Sequence, residues 1–237
     1  MNRAPSLLDD SSVPGGFSYG SSGTLQGTAA QNPWNIRADK GPSTFDVTHV
    51  GTLSLVQDLP FDRWLRANGV RSLVSGWQLF STMTLSSGLP FTIYSGIQQT
   101  GVEADSADRP DQVGRPVLST RRTVREDYFG RGAANGSFFS IPVNVPGGSG
   151  PNHGRFGTLG RDTFRGPAFH NVDVSLIKET PLSRERIKVQ FRAECFNLIN
   201  TPQFAAPGTT EGAAGFGVVS SQNNQPRIVQ LALKMLF

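Results

Sequence analysis

The chain has three histidines, His49, His153 and His170, and hydrolytic or metal chemistry would have to use them. His170 stands three positions before Asp173. Along an extended strand that odd spacing points the two side chains to opposite faces, so they make a poor base–carboxylate pair. The sequence contains neither a Gly-x-Ser-x-Gly elbow nor a His-Glu-x-x-His helix motif. A Ser-His-Asp triad is defined by geometry and not by composition, and any serine-rich chain offers one on paper. The histidines therefore read as loop or strand-end residues, and no catalytic residue, cofactor-binding residue or metal ligand is assigned. Cys195 is the only cysteine, which leaves no intrachain disulfide and no cysteine zinc cluster. The glycine-rich stretch Gly147–Gly150 lacks a strand before it and a helix after it, so it is an ordinary loop and no phosphate cradle.

Two groups of charged residues offer other chemistry. Glu103, Asp105, Asp108 and Asp111 fall within one short stretch, and hard cations such as calcium take oxygen ligands of this kind. The spacing lacks the glycine and terminal glutamate of an EF-hand loop, and Arg109 sits in its middle. A solvated loop is the expected reading. The second group is Lys188, Gln190, Arg192 and Glu194, which alternate without exception with Ile187, Val189, Phe191, Ala193 and Cys195. A helix would scatter these charges around its circumference, whereas a strand places all of them on one face.

The elements that must position such rows are strands. Val229, Leu231, Leu233, Met235 and Phe237 form an apolar row at every second position. Val172, Val174 and Leu176 alternate with Asn171, Asp173 and Ser175. Trp77, Leu79, Met83 and Leu85 alternate with Gln78, Thr82, Thr84 and Ser86, broken at Phe80 and Ser81. Leu53, Leu55 and Leu59 alternate more loosely, and Leu89–Tyr94 is expected to continue the strand at 77–86 beyond a kink at Gly88. The connections differ in length. A short polar turn joins Lys178 to Ile187 and a modest link joins Leu59 to Ser72, while about 95–167 and about 200–226 are long and rich in Gly, Pro, Asn and Asp. Loops of that length are uncommon in compact soluble domains.

Composition agrees with a turn-rich β chain. Among 237 residues there are 27 Gly, 16 Pro and 16 Phe, and charged residues make up 17%, against roughly 25% in a typical soluble domain. No apolar run approaches the roughly 18 residues of a transmembrane helix. Met1–Asp10 lack the apolar core of a secretory signal. The formal net charge is +4 with no Lys/Arg run of five, so a nucleic-acid partner is not expected.

Strands with one apolar face suit either a soluble sandwich or a transmembrane barrel. Arg227–Phe237 has the roughly 9–11 residues that a tilted membrane strand needs. Short turns at one end and long loops at the other are the layout of an outer-membrane barrel. The apolar row that runs to Phe237 favours the same reading. In such a barrel Asp173, Lys188, Gln190, Arg192 and Glu194 would face the lumen. Trp77, Phe61 and Phe237 would serve as interfacial aromatics.

A resemblance sharpens this reading. Gln230–Phe237 resembles the C-terminal β-signal by which outer-membrane barrels are recognised for insertion. Its residues here are Val229, Leu231, Leu233, Met235 and Phe237. Gly160–Pro167, Asn171–Lys178, Gln190–Asn197 and Asn200–Phe204 are together similar to the C-terminal barrel of TonB-dependent receptors of the Oar-like kind. Phe45–His49, Asp58–Phe61, Gly76–Leu79 and Ser87–Phe91 fit the same family upstream. The similarity runs from about Arg37 onward.

What the resemblance implies is an all-β fold: a segment of about five to seven antiparallel transmembrane strands, with long extracellular loops, from a plugged barrel of roughly 22 strands. Residues 1–46 would be a loop with a partial strand, and 47–237 the C-terminal part of the barrel. The function implied is binding and energy-coupled uptake of a large or scarce substrate across the cell outer membrane, with no cofactor. The partners implied are outer-membrane lipid, the barrel-assembly machinery, and the TonB complex acting through a plug absent from this chain. The fragment alone is not expected to transport. A secreted or periplasmic β-sandwich binding or adhesin module is the alternative.

Overall fold

The computed structural model describes residues 31–32, 34–61, 74–97, 100, 108–116, 118, 128–129, 138–142, 155–183 and 187–237. The architecture is all-β and antiparallel, as the alternation predicts. Among the described residues the only helix with assigned bounds is a 3-10 turn at Ile36–Asp39. Nine strands follow: β1 (Val50–Leu59), β2 (Trp77–Ser86), β3 (Pro90–Phe91), β4 (Asp111–Gln112), β5 (Phe139–Ser140), β6 (Phe164–Arg165), β7 (Phe169–Ser183), β8 (Ile187–Phe196) and β9 (Ile228–Leu236). The five long strands form one sheet in the order β1-β2-β7-β8-β9. Each pairs antiparallel with the long strand before it, giving an open meander with β1 and β9 at its edges.

The chain divides into two compact units. One is this sheet, formed by 49–86, 169–203 and 224–237; the other is formed by 1–48, 87–168 and 204–223. In the sheet, register fixes what each face carries, because residues directly opposite one another in antiparallel strands point the same way. Leu59, Trp77, Lys178, Phe191 and Leu233 lie in one cross-strand row. Leu53, Met83 and Val172 form another row on the same face. A one-residue slip would move every apolar side chain to the opposite face, so the pattern itself holds the register. Both long connections, and the segment before β1, leave from the Val50/Ser86/Phe169 end of the sheet. The shorter connections β1–β2 and β7–β8 lie at the other end.

The second unit holds an aromatic core. Phe91, Ile93, Tyr128, Phe129, Phe139, Leu159, Phe164, Phe216 and Val219 are buried together. Phe129 sits at its centre, stacked on Phe216 at 5.3 Å and edge-on to Phe139 at 5.5 Å and Phe164 at 5.7 Å. These are the offset and T-shaped arrangements that the ring quadrupole favours. Four two-residue strands pair here as β3 with β6 and β4 with β5. The expectation that Leu89–Tyr94 prolongs β2 is therefore corrected: β3 pairs with β6 in a separate sheet. Pro90 has no N–H to extend a ladder. Gly88 lies so near Gly166 that a Cβ on it would stand 1.8 Å from the Gly166 carbonyl oxygen; only glycine fits that approach.

Candidate functional site

The residues with the clearest chemical patterning lie on the polar face of the sheet. Ser175 stands opposite Glu194, Ile177 opposite Arg192 and Glu179 opposite Gln190. Across β9, Gln230, Ala232 and Lys234 stand opposite Glu194, Arg192 and Gln190. Lys188, Gln190, Arg192 and Glu194 thus share one face, as their alternation requires, and Asp173 shares it by parity with Ser175.

The contacts on this face differ from a ladder of cross-strand ion pairs. Gln190 Nε2 donates to Glu179 Oε1 at 2.9 Å, and Gln78 Nε2 donates to Asp58 Oδ1 at 2.8 Å. Neutral amides, and not cations, bridge these adjacent strands. Arg192 and Glu194 pair along a single strand at 3.4 Å. Asp173 acts at the strand end, where Oδ1 accepts from the Asn197 backbone N–H at 2.8 Å and Oδ2 accepts from Asn171 Nδ2 at 2.9 Å. Asn197 has φ of 51°, a left-handed conformation that asparagine tolerates better than most residues. The Asp173 carboxylate holds the turn that ends β8.

The opposite face is apolar. Val229, Leu231, Leu233, Met235 and Phe237 form the expected row, with Leu233 75% exposed and Phe237 fully exposed. One charged residue on this face was not anticipated. Lys178 is the only Lys, Arg, Asp or Glu there among the described strand residues. Its ammonium lies 5.2 Å from the Trp77 ring centroid and donates to the Ser75 carbonyl oxygen at 2.8 Å. Trp77 also meets Phe191 edge-on at 6.4 Å. Counting by twos from Val172, Val174 and Leu176 reaches Lys178, so the parity that placed the apolar row also marked this lysine.

The Gln203 amide clamps the backbone of His170, accepting from its N–H at 3.1 Å and donating to its carbonyl at 2.6 Å. His170 stands opposite Leu85 on the apolar face, away from Asp173. His153 and Gly147–Gly150 lie outside the described residues; among the described residues no group of three or more His, Cys, Asp or Glu gathers as a metal site.

The described part of the acidic stretch lies in the loop-built unit, and the expected solvation is corrected at Asp108 and Arg109. Asp108 and Arg109 are buried. Asp108 accepts hydrogen bonds from the backbone N–H and hydroxyl of Thr100, at 2.9 and 3.1 Å. Arg109 pairs with buried Asp39, whose other oxygen accepts from Gln31 N–H at 2.7 Å. Buried charges persist when paired and hydrogen-bonded in this way. Asp111 pairs with Arg155, and the hydrogen bond from that guanidinium holds the Asp111 carboxyl below its ordinary range. Tyr94 is pushed upward by burial and by the nearby Asp162 carboxylate. Glu103 and Asp105 lie outside the described residues.

A family model described as an outer membrane beta barrel domain matches residues 9–230. No curated protein and no solved structure matches the chain.

Proposed function

This chain belongs to the outer membrane beta barrel domain family and is an outer-membrane protein; from that premise we propose that it forms the C-terminal part of a TonB-dependent receptor. Its role is to contribute wall strands and long extracellular connections to a barrel that binds and imports a large or scarce substrate. The observation that carries this reading is the two-faced meander. Its apolar face suits lipid, its face of amides and charges suits a wet lumen, and its long connections all leave from one end. Open edges do not persist in lipid, because unpaired backbone groups find no water there. Further strands must therefore continue from β1 and β9.

Side by side on the polar face, Asp173, Lys188, Gln190, Arg192 and Glu194 line the lumen. Val229, Leu231, Leu233, Met235 and Phe237 present the row that the assembly machinery reads. Trp77 and Phe191, with Lys178 held against Trp77, mark the level where lipid tails give way to headgroups, since aromatic residues gather at both interfaces of such barrels. Energy comes from the TonB complex through a plug that other sequence supplies.

Two experiments test this. The membrane-assembled protein, run on a detergent gel with and without heating, should migrate faster unheated, and F237A should lower the folded fraction. Monodisperse behaviour in buffer without detergent would overturn the barrel reading. The reading frame upstream of Met1 should encode a plug and more strands. An unrelated sequence there would overturn the receptor reading while leaving the barrel intact.

A further inference from the structure

Residues 90–97 and 204–217, drawn from the two long connections, are joined at one junction. Tyr94 N–H donates to the Thr209 carbonyl at 2.9 Å, and Glu211 N–H donates to the Tyr94 carbonyl at 2.8 Å. Together these form a parallel bridge between Tyr94 and Thr210. The approach is close: a Cβ on Gly96 would stand 2.6 Å from Thr210 Cγ2 and 3.1 Å from the Glu211 carbonyl oxygen. Ile93 and Ser95, on either side of Tyr94, are fully buried.

At the edge of this junction sits an unusual carboxylate. Glu211 is 9% exposed, and its enclosed Oε2 has no hydrogen-bond partner among the described residues. Of the charged groups in this unit, Arg109 is engaged by Asp39 and Arg161 by Asp162. The one titratable side chain on the facing segment, Tyr94, lies in the field of Asp162, Arg161 and Arg109. Glu211 forms no ion pair among the described residues. A carboxyl in such a place costs little when protonated and much when charged.

We propose that Glu211 makes this junction an acid-closed latch, tight when the carboxyl carries its proton and loosened when it ionises. Desolvation pushes the group up to about 7 from an ordinary 4.5, which supports the direction. A carboxyl raised in the closed state stabilises that state fully below about pH 4.5, and the contribution fades as pH rises through about 7. Residues 90–97 and 204–217 therefore separate more readily in neutral and alkaline medium than in acid. The latch does not depend on the transport reading, since it concerns these two segments alone.

Amide hydrogen exchange on the full chain folded in detergent micelles tests it, corrected for the intrinsic pH dependence of exchange. Protection of the Tyr94 and Glu211 amides should fall at least about tenfold between about pH 5.5 and about pH 8.5, while amides in the β2–β7 ladder keep theirs. In E211Q the junction should stay protected at both pH values. Equal protection of wild type at the two values, or a pH-dependent drop that survives in E211Q, would overturn the proposal. If E211Q does not fold, the carbon-13 titration of the wild-type Glu211 carboxyl decides: a midpoint near 7 supports the latch, and one below about 5 rejects it.

Discussion

In the sheet, Leu53, Leu231 and Leu233 are 67%, 67% and 75% exposed; in the loop-built unit, Phe129 and Ile93 expose nothing and Phe139 only 1%. The same driving force acts on both groups of side chains, roughly 25 cal/mol per Å² of apolar surface removed from water. The loop-built unit satisfies it internally, by bringing together aromatic residues that are far apart in sequence. The sheet leaves its apolar face for something outside the described residues to cover. Apolar surface of that extent is uncommon on monomeric soluble proteins, whereas one lipid-facing side is the defining feature of a membrane barrel wall. Polar groups differ in parallel. The sheet joins strands through amide–carboxylate contacts such as Gln190–Glu179, and the loop-built unit buries full ion pairs such as Asp39–Arg109.

The largest expected effect falls on the self-contained core. F129A removes a ring that meets Phe91, Tyr128, Phe139, Phe164 and Phe216. Emptying such a site costs about 3–5 kcal/mol. Amide protection and aromatic circular dichroism from this unit should collapse while the sheet keeps its gel mobility in the folded state. Loss of both together would break the contrast drawn above. Next comes a test of the sheet's two faces. M83R, six residues along β2 from Trp77, places a charge on the same apolar face and should cost about 2–4 kcal/mol near the bilayer centre. Q230R lies on the other face opposite Glu194 and should change stability by less than about 0.5 kcal/mol. Urea titration in lipid vesicles measures both, and similar costs would deny that lipid covers the face carrying Met83.

These regions were unequally legible in the sequence, for a physical reason. A strand writes its burial pattern at period two, so Ile187–Cys195 and Val229–Phe237 displayed their faces at once. The long connections display no period because their core is built from single residues: Tyr128 and Phe129 after one stretch, Phe139 after another, Phe216 some eighty positions later. Only the high phenylalanine count hinted that something there needed burying. The same holds for charge. Asp108 looked solvated because its partner Thr100 and the pairing of Arg109 with Asp39 depend on contacts between separate segments. Lys178 was legible by parity. Its cover by Trp77 depended on the pairing of β2 with β7, which no local pattern specifies.

A smaller effect probes the polar contacts of the sheet. Q190L removes the donor to Glu179 and should cost about 1 kcal/mol, the usual worth of such a bond. Near-zero cost in urea titration would mean that water replaces the amide at no loss, as a wet lumen allows.

The smallest effect is a matter of pH. The Arg155 guanidinium depresses the Asp111 carboxyl below its ordinary 3.8. A carboxyl lowered on folding contributes stability that is fully present above about pH 4 and is lost as pH falls through its folded value. Arg155 has a side chain 40% exposed, so solvent screens the pair and the contribution stays under about 1 kcal/mol. D111N should therefore leave stability at neutral pH lower by less than that amount and flatten its decline below pH 4. Both changes should appear in the loop-built unit, read by exchange of the Gln112 and Thr158 amides, and neither in the strand ladder. The direction is opposite to that at Glu211, whose burial raises its carboxyl. One unit thus holds two carboxyls with opposed pH dependence, one stabilised as an anion by a guanidinium and the other favoured as an acid by burial.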